Sequence, residues 1–170
     1  FASRSRIVCA YNKHGTWSIA DLDTRTGELR TVPTPFTSIG RAGLKVSPKH
    51  VVFVAGSSTQ VESLFIHDLA TGETRALRRS STADVDEGYL STPEVIEFPT
   101  EQGQKAHAFF YPPRNRDYSA PASDKPPLLV ISHGGPTGAT SSMLRFETQY
   151  WTSRGIAVVE VNYGGSTGYG

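Results

Sequence analysis

The sequence predicts antiparallel β-sheet units of the kind that build propellers, followed by the first part of a mostly parallel α/β domain. Three observations carry this prediction. A strand-and-turn pattern is repeated over residues 6–77. The segment 79–94 is polar and lacks alternating apolar residues. A strand–helix–strand pattern occupies 128–163, which is the arrangement of a βαβ unit.

The composition excludes several classes of protein. The 17 Lys and Arg residues balance 16 Asp and Glu, so no basic surface for nucleic acid is expected. No apolar stretch is long enough to span a bilayer. A single cysteine, Cys9, rules out an internal disulfide framework and a cysteine-based metal site. We therefore expect no nucleic acid, membrane, metal or cofactor, and the lone thiol favours a cytoplasmic location.

The first eighty residues contain one pattern twice. In each copy a strand containing Asp-Leu is followed by a Thr-Gly-Glu turn and a short strand, with the turn glycines at Gly27 and Gly72. A period of about 45 residues is that of a four-stranded propeller blade. Two β-meanders of an unrelated sandwich are the alternative. Because two blades do not close a ring, most of such a propeller would lie before Phe1.

The segment 81–94 is predicted to be a linker. Its acidic side chains are Asp84, Asp86 and Glu87. Their spacing matches no calcium-binding loop and no histidine accompanies them, so a solvated linker is favoured over a metal site. A β-hairpin is predicted at 95–111, where the second domain begins.

The last part of the chain predicts a parallel sheet. The apolar runs 128–132 and 156–163 are expected to be strands buried on both faces. The helix between them is expected to begin at Ser141 or Ser142 and to end before Gly155. Its apolar residues are expected to form a broad buried face: Met143, Leu144, Phe146, Tyr150 and Trp151.

His133, Gly134 and Gly135 form the loop between the first of these strands and the helix. In α/β-hydrolases this loop contributes a backbone N–H to the oxyanion hole, and consecutive glycines let a tetrahedral intermediate approach closely. We therefore predict Gly135, with Gly134, as oxyanion- and substrate-binding residues. The alternative is a turn that only joins strand and helix. His133 is expected to hold the loop by a side-chain hydrogen bond, since the catalytic base of this fold comes last in the chain.

Residues 164–168 have the spelling Gly-x-Ser-x-Gly of a nucleophile elbow. That motif needs a strand before it and a helix after it, and only the strand is visible. Ser166 also comes one strand–helix unit earlier than a hydrolase nucleophile. We therefore predict that Ser166 belongs to a glycine-rich loop and is not a nucleophile.

The strings PPLLVISHGGP at 126–136, YWTSRG at 150–155 and VNYGGSTGYG at 161–170 resemble the serine peptidases of the prolyl oligopeptidase family. They are most similar to its acylaminoacyl-peptidase and dipeptidyl-peptidase-like branch. The resemblance implies a β-propeller that filters short peptides and an α/β-hydrolase domain with a Ser-Asp-His triad. In that family the glycine matching Gly135 donates its N–H to the oxyanion, and the glycine-rich loop precedes the nucleophile by a further helix and strand.

By this resemblance, residues 1–80 are the last blades of a β-propeller and 95–170 are the N-terminal part of an α/β-hydrolase domain. Nucleophile, acid and base then lie beyond Gly170, so the segment alone is predicted to be inactive and the remainder of the same protein is its first partner. The parent is expected to hydrolyse short peptides through an acyl-enzyme, as a monomer or a homo-oligomer. The alternatives are an esterase or lipase and a non-catalytic propeller–hydrolase scaffold.

Overall fold

The structure is a computed structural model that describes residues 1–83, 85–135 and 138–169. Three β-sheets make up most of it. Asp84 of the predicted acidic group, Pro136 of the His-Gly-Gly-Pro turn and Gly170 lie outside the described residues. Within the described ranges, no helix is long and apolar enough to cross a membrane.

The first sheet is an antiparallel meander of three strands: β1 (Arg6–Lys13), β2 (Thr16–Asp23) and β3 (Leu29–Val32). A two-residue turn joins β1 to β2, and both of its residues have positive φ, 49° at His14 and 77° at Gly15. Turns with positive φ match the right-handed twist of the strands, so this hairpin is tight. The tip of the hairpin is important for the site described below.

The second sheet is an antiparallel meander of four strands: β4 (Ser38–Val46), β5 (His50–Gly56), β6 (Ser63–Asp68) and β7 (Thr74–Arg79). The register of β4 against β5 shifts between Ile39 and Leu44. A shift of this kind is a β-bulge or irregularity, which bends a strand locally. The register of β6 against β7 also shifts, between Leu64 and Phe65, so this sheet is irregular at two places.

The two turns predicted to be equivalent have the same geometry. The Gly27 amide donates to the Asp23 carbonyl at 2.8 Å, and the Gly72 amide donates to the Asp68 carbonyl at 2.9 Å. The φ angles of the two glycines are 75° and 76°, a region that glycine enters without a steric cost. The prediction of antiparallel β-structure over 6–77, with equivalent glycine turns, is confirmed.

The first two sheets share one hydrophobic core. Val8 and Ile19 of the first sheet are buried in the same cluster as Phe53 and Phe65 of the second. Phe36, in the connection between the sheets, packs its ring on Phe65 with centroids 4.3 Å apart. Burial of aromatic side chains at this spacing stabilises the packing beyond the loss of exposed area alone.

The third sheet is mixed and carries the candidate site. Its strands are β8 (Glu94–Pro99), β9 (Lys105–Tyr111), β10 (Leu128–Ser132) and β11 (Ala157–Asn162), in the order β10-β11-β9-β8. The helix α1 (Phe146–Thr152) connects β10 to β11, which run parallel, whereas β11 is antiparallel to β9. The predicted hairpin and the predicted strand–helix–strand unit are both present.

The expectation that both apolar strands are buried on two faces is wrong for β10. Leu128 and Val130 are 55% and 61% exposed, whereas most of β11 is buried. The reason is position: β10 is an edge strand of its sheet, and the described residues leave the side chains of Leu128 and Val130 mostly uncovered. An apolar run shows that a strand is suited to burial on both faces. The described residues do not cover the face of β10 that carries Leu128 and Val130.

The expected start and buried face of α1 are also wrong, whereas the helix ends before Gly155 as expected. The helix begins at Phe146, with Arg145 at the N-cap position. The Ser142 hydroxyl does not cap it but donates to the Thr37 hydroxyl at 2.9 Å. The helix residues that are buried are polar: Thr148, Gln149 and Thr152. Its exposed residues include the aromatics that were expected to pack: Phe146, Tyr150 and Trp151.

Candidate functional site

The predicted oxyanion loop lies at the carboxyl end of the parallel strand pair β10 and β11. Parallel α/β sheets bind ligands beyond the carboxyl ends of their strands. Gly134 and Gly135 line a cavity of about 680 Å³ at this end. A Cβ atom built on either glycine meets no atom within 4 Å, so the backbone of both residues borders open space.

The two polar backbone groups of Gly135 differ in their surroundings. Its carbonyl accepts a hydrogen bond from the Tyr163 hydroxyl at 2.7 Å. Among the described residues, none accepts a hydrogen bond from its amide. The φ angle of 76° is one that residues other than glycine adopt only with strain. The loop therefore holds the carbonyl of Gly135 in place and leaves the amide to another acceptor.

Tyr163 holds this loop in two ways. Besides its bond to Gly135, its hydroxyl lies 3.1 Å from the His133 carbonyl oxygen. Its ring stacks on the His133 imidazole, with centroids 4.4 Å apart and planes 19° from parallel. Tyr163 directly follows β11 and His133 directly follows β10, so the parallel pairing of the strands brings the two residues together.

His133 and Ser166 form a Ser–His pair with the serine buried. His133 Nε2 lies 2.7 Å from Ser166 Oγ, but Ser166 is 2% exposed. The groups near His133 Nδ1 are the Tyr163 hydroxyl and the Gly134 carbonyl, each at 3.3 Å. A catalytic base is oriented by a carboxylate at this nitrogen, and no carboxylate of the described residues bonds to it. The expectation that His133 holds the loop by a side-chain hydrogen bond is confirmed.

The chain after the loop is anchored to β11 at Thr140. The Thr140 amide donates to Asn162 Oδ1 at 2.9 Å, and its hydroxyl donates to the Glu160 carboxylate. Glu160 is 1% exposed and also accepts from the Thr148 hydroxyl at 2.9 Å. Arg145 lies 3.4 Å from the same carboxylate, so the buried charge is paired and hydrogen-bonded. Sequence reasoning missed these residues, although a glutamate within the apolar run AVVEVN was a signal.

The glycine-rich loop at 164–169 contacts the tip of the first hairpin. A Cβ atom built on Gly15 would clash with Tyr169 Oη and lie 2.7 Å from Phe109 Cζ. The Tyr169 ring also stacks on His107 of β9, with centroids 4.6 Å apart. The absence of a side chain at position 15 therefore allows the hairpin to approach the third sheet.

A second contact joins the third sheet to the second sheet. The Leu144 amide donates to the Ser57 carbonyl at 2.7 Å, close to the bond between Ser142 and Thr37. Between this contact and the hairpin tip lies the cavity of about 680 Å³, which is lined by all three sheets or their loops. The loop with Gly134 and Gly135 forms one part of its wall.

The acidic segment that precedes β8 has a structural role where it is described. Asp86 accepts a hydrogen bond from the Gly88 amide at 2.8 Å and pairs with Arg116. In the described part of the chain, no group of three His, Cys, Asp or Glu side chains is placed to hold a metal ion.

Solved structures of similar fold are peptidases. The chain matches a puromycin-hydrolysing peptidase of Mycobacterium tuberculosis with a TM-score of 0.91 and 35% identity, over 97% of this chain and 25% of that one. It matches a puromycin hydrolase variant complexed with PGG at 0.84 and 38% identity, over 95% and 24%. A prolyl endopeptidase shares the fold, with a TM-score of 0.75 and 18% identity over 98% and 24% of the two chains.

Curated relatives are peptidases as well. The uncharacterized peptidase YuxL of Bacillus subtilis is 28% identical over 126 residues, which are 74% of this chain and 19% of the relative. Dipeptidyl-peptidase 5 of Schizosaccharomyces pombe is 35% identical over 79 residues, 45% of this chain and 11% of the relative. No protein-family profile matches the chain. The chain thus spans 25% or less of the length of each of these relatives.

Proposed function

Because this chain belongs with the serine peptidases of the prolyl oligopeptidase family, we propose that it is a segment of an enzyme that hydrolyses short peptides through an acyl-enzyme. The observation that carries the proposal is the match to a puromycin-hydrolysing peptidase over 97% of this chain. The open loop of Gly134 and Gly135 at the carboxyl end of β10 supports it.

The proposed division of the chain follows from the three sheets. Residues 1–80 would be the last blades of a β-propeller, 81–94 a linker, and 95–170 the first part of an α/β-hydrolase domain. The equivalent turns of the first two sheets support the assignment as blades. The exposed apolar face of β10 supports a hydrolase domain that continues in the remainder of the protein, which would cover this face.

In the proposed mechanism a serine from the remainder of the protein attacks the peptide carbonyl, with the acid and base of its triad also supplied there. The Gly135 amide donates to the negatively charged oxygen of the tetrahedral intermediate. Gly134, which has no side chain, leaves the intermediate room to approach. One oxyanion donor contributes about 100- to 1000-fold to the rate in enzymes of this type. Gly135 and Gly134 are thus the proposed substrate-binding residues of this chain.

An esterase or lipase is disfavoured, because compact enzymes of those classes lack the blade-like sheets. Two measurements on the full-length protein distinguish a peptidase from a non-catalytic scaffold. The full-length protein is expected to react with a fluorophosphonate probe and to hydrolyse short peptide substrates, whereas a scaffold does neither. The cytoplasmic location and the oligomeric state stay predictions.

Substitution of Ser166 tests the assignment of this serine as structural. In the full-length protein, Ser166→Ala should leave fluorophosphonate labelling unchanged and lower the free energy of unfolding by about 1–3 kcal/mol, because His133 loses its buried partner. The exposed Ser119 provides the control, since Ser119→Ala should change neither quantity. Loss of labelling in a folded Ser166→Ala variant, or labelling of Ser166 in the segment 1–170 alone, would contradict the assignment.

Removal of the Tyr163 hydroxyl tests how the oxyanion loop is held. Tyr163→Phe should lower kcat of the full-length protein by about 3- to 10-fold with KM little changed, because one hydrogen bond to the loop is worth about 0.5–1.5 kcal/mol. Tyr118, which is 80% exposed, is the matched control for loss of a phenolic hydroxyl. A rise in KM at constant kcat would show that the hydroxyl acts in binding and not in positioning the loop.

A further inference from the structure

We infer that Glu160, a buried carboxylate of β11, is a positioning residue that sets the orientation of the Gly134–Gly135 peptide in the oxyanion loop. The inference rests on the proposed function, because it concerns how the proposed oxyanion donor is aimed. Glu160 acts through Thr140 and Gly138, which belong to the chain that leaves the loop.

The segment 139–141 lies between two cavities. Its residues line the cavity of about 680 Å³ that also contains the two glycines of the oxyanion loop. They line in addition a smaller cavity of about 240 Å³, whose wall includes Glu160 and Arg145. A segment that borders open space on two sides has few packing contacts to fix it. Its position therefore depends on its hydrogen bonds.

These hydrogen bonds come from two buried side chains of β11. The Thr140 hydroxyl donates to Glu160 Oε2, and the Thr140 amide donates to Asn162 Oδ1 at 2.9 Å. Glu160 and Asn162 are 1% and 0% exposed. The other carboxylate oxygen, Oε1, accepts from the Thr148 hydroxyl of α1 at 2.9 Å. Arg145 supplies the counter-charge at 3.4 Å. Glu160 thus joins the segment 139–141 to both α1 and β11.

Stability alone does not explain a charge at this position. A buried ion pair adds little net stability in general, because removing two charges from water costs about as much as their attraction returns. The neighbours of Glu160 along β11 are Val159 and Val161, so an apolar residue would suit the strand. A carboxylate supplies instead two acceptor oxygens, one for α1 and one for the segment 139–141.

Gly138 connects this segment to the oxyanion loop. A Cβ atom built on Gly138 would lie 2.9 Å from the Gly134 carbonyl oxygen and 2.9 Å from His133 Nδ1, so its backbone packs directly on the loop. The Gly134 carbonyl and the Gly135 N–H belong to one peptide unit, which is planar. A contact at the carbonyl oxygen therefore fixes the direction of the N–H on the opposite side, where the oxyanion would bind.

Two threonines that bond to the same carboxylate provide the test in the full-length protein. Thr140→Val should lower kcat for short peptides by about 10-fold with KM within about twofold, since a misplacement of 1 Å costs about 100-fold and a smaller shift is expected. Thr140→Ser keeps the hydroxyl and should restore kcat. Thr148→Val removes the bond on the α1 side, so it should lower the thermal stability about as much as Thr140→Val but leave kcat within about twofold.

Substitution of the carboxylate itself tests the role of its charge. Glu160→Gln leaves one acceptor oxygen in place of two and no charge for Arg145, so kcat should fall by about 10- to 100-fold. Glu147→Gln is the matched control, because Glu147 also pairs with Arg145, at 3.2 Å, but is 84% exposed. It should leave kcat unchanged. Equal kcat in the two variants would overturn the inference, and if Glu160→Gln does not fold, the threonine pair decides.

Hydrogen exchange separates this inference from the proposed activity. In Thr140→Val, peptides containing Gly134 and Gly135 should exchange their amide hydrogens at least about threefold faster, whereas Thr148→Val should not change them. This difference supports the positioning role even if the full-length protein neither hydrolyses peptides nor reacts with fluorophosphonate, in which case the proposed function alone fails. Unchanged exchange in Thr140→Val, or equal losses of kcat in Thr140→Val and Thr148→Val, would overturn the role of Glu160.

Discussion

Replacing Gly135 with proline in the full-length protein is expected to lower kcat by about 100-fold or more while the protein stays folded. Proline has no amide hydrogen, so the proposed donor to the oxyanion is lost. Its ring also fixes φ near −65°, whereas Gly135 has a φ of 76°, so the loop changes conformation in addition. Both effects act on the transition state, and we expect them in kcat more than in KM.

The adjacent glycine is the control for this substitution. Gly134 is not among the residues with positive φ, and a Cβ atom built there meets nothing within 4 Å. Gly134→Ala keeps the amide of Gly135 and adds only a methyl group where the intermediate approaches, so it should lower kcat less than Gly135→Pro does. Thermal unfolding measured on both variants shows whether the fold is kept. Unchanged turnover in a folded Gly135→Pro variant would exclude the oxyanion role.

A side chain at position 15 is expected to cause the largest loss of stability. Gly15→Ala should lower the free energy of unfolding by about 1–2 kcal/mol through its positive φ. Overpacking should add a further loss of about 1–3 kcal/mol. The second contribution arises because the new methyl group would meet Tyr169 Oη and Phe109 Cζ. Denaturant unfolding of the full-length protein measures the total.

Gly27 separates the two contributions. Its φ of 75° is close to the 77° of Gly15, but a Cβ atom at position 27 meets nothing within 4 Å. Gly27→Ala therefore reports conformational strain alone, and the difference between the two variants reports the contact of the first hairpin with the glycine-rich loop. Equal losses at positions 15 and 27 would show that this contact contributes nothing to stability.

Local chemistry made a large part of the fold predictable. The turns at Gly27 and Gly72 depend on residues adjacent in sequence and on the freedom of glycine at positive φ, so they are visible in the sequence and recur in the structure. The order strand, loop, helix, strand likewise placed Gly134 and Gly135 at the carboxyl end of a parallel strand. That placement needs only the alternation of apolar and turn segments.

The predictions that were wrong all depend on partners that are distant along the chain. The Ser142 side chain does not cap α1, because it bonds to Thr37 in the connection between the first two sheets. The exposed face of β10 and the exposed aromatics of α1 depend on whether other parts of the protein cover them. The periodicity of apolar residues indicates which side chains are suited to burial, but it does not show which parts of the protein would cover them.

The sequence by itself determined the succession of strands along the chain, the glycine turns and the position of the candidate oxyanion loop, since each follows from residues close together in the chain. Only the tertiary structure decided how that loop is held and what faces it. Tyr163 reaches Gly135 because β10 and β11 are paired in parallel. Glu62 lines the same cavity as Gly135 because the three sheets pack around it, and no spacing in the sequence encodes that packing.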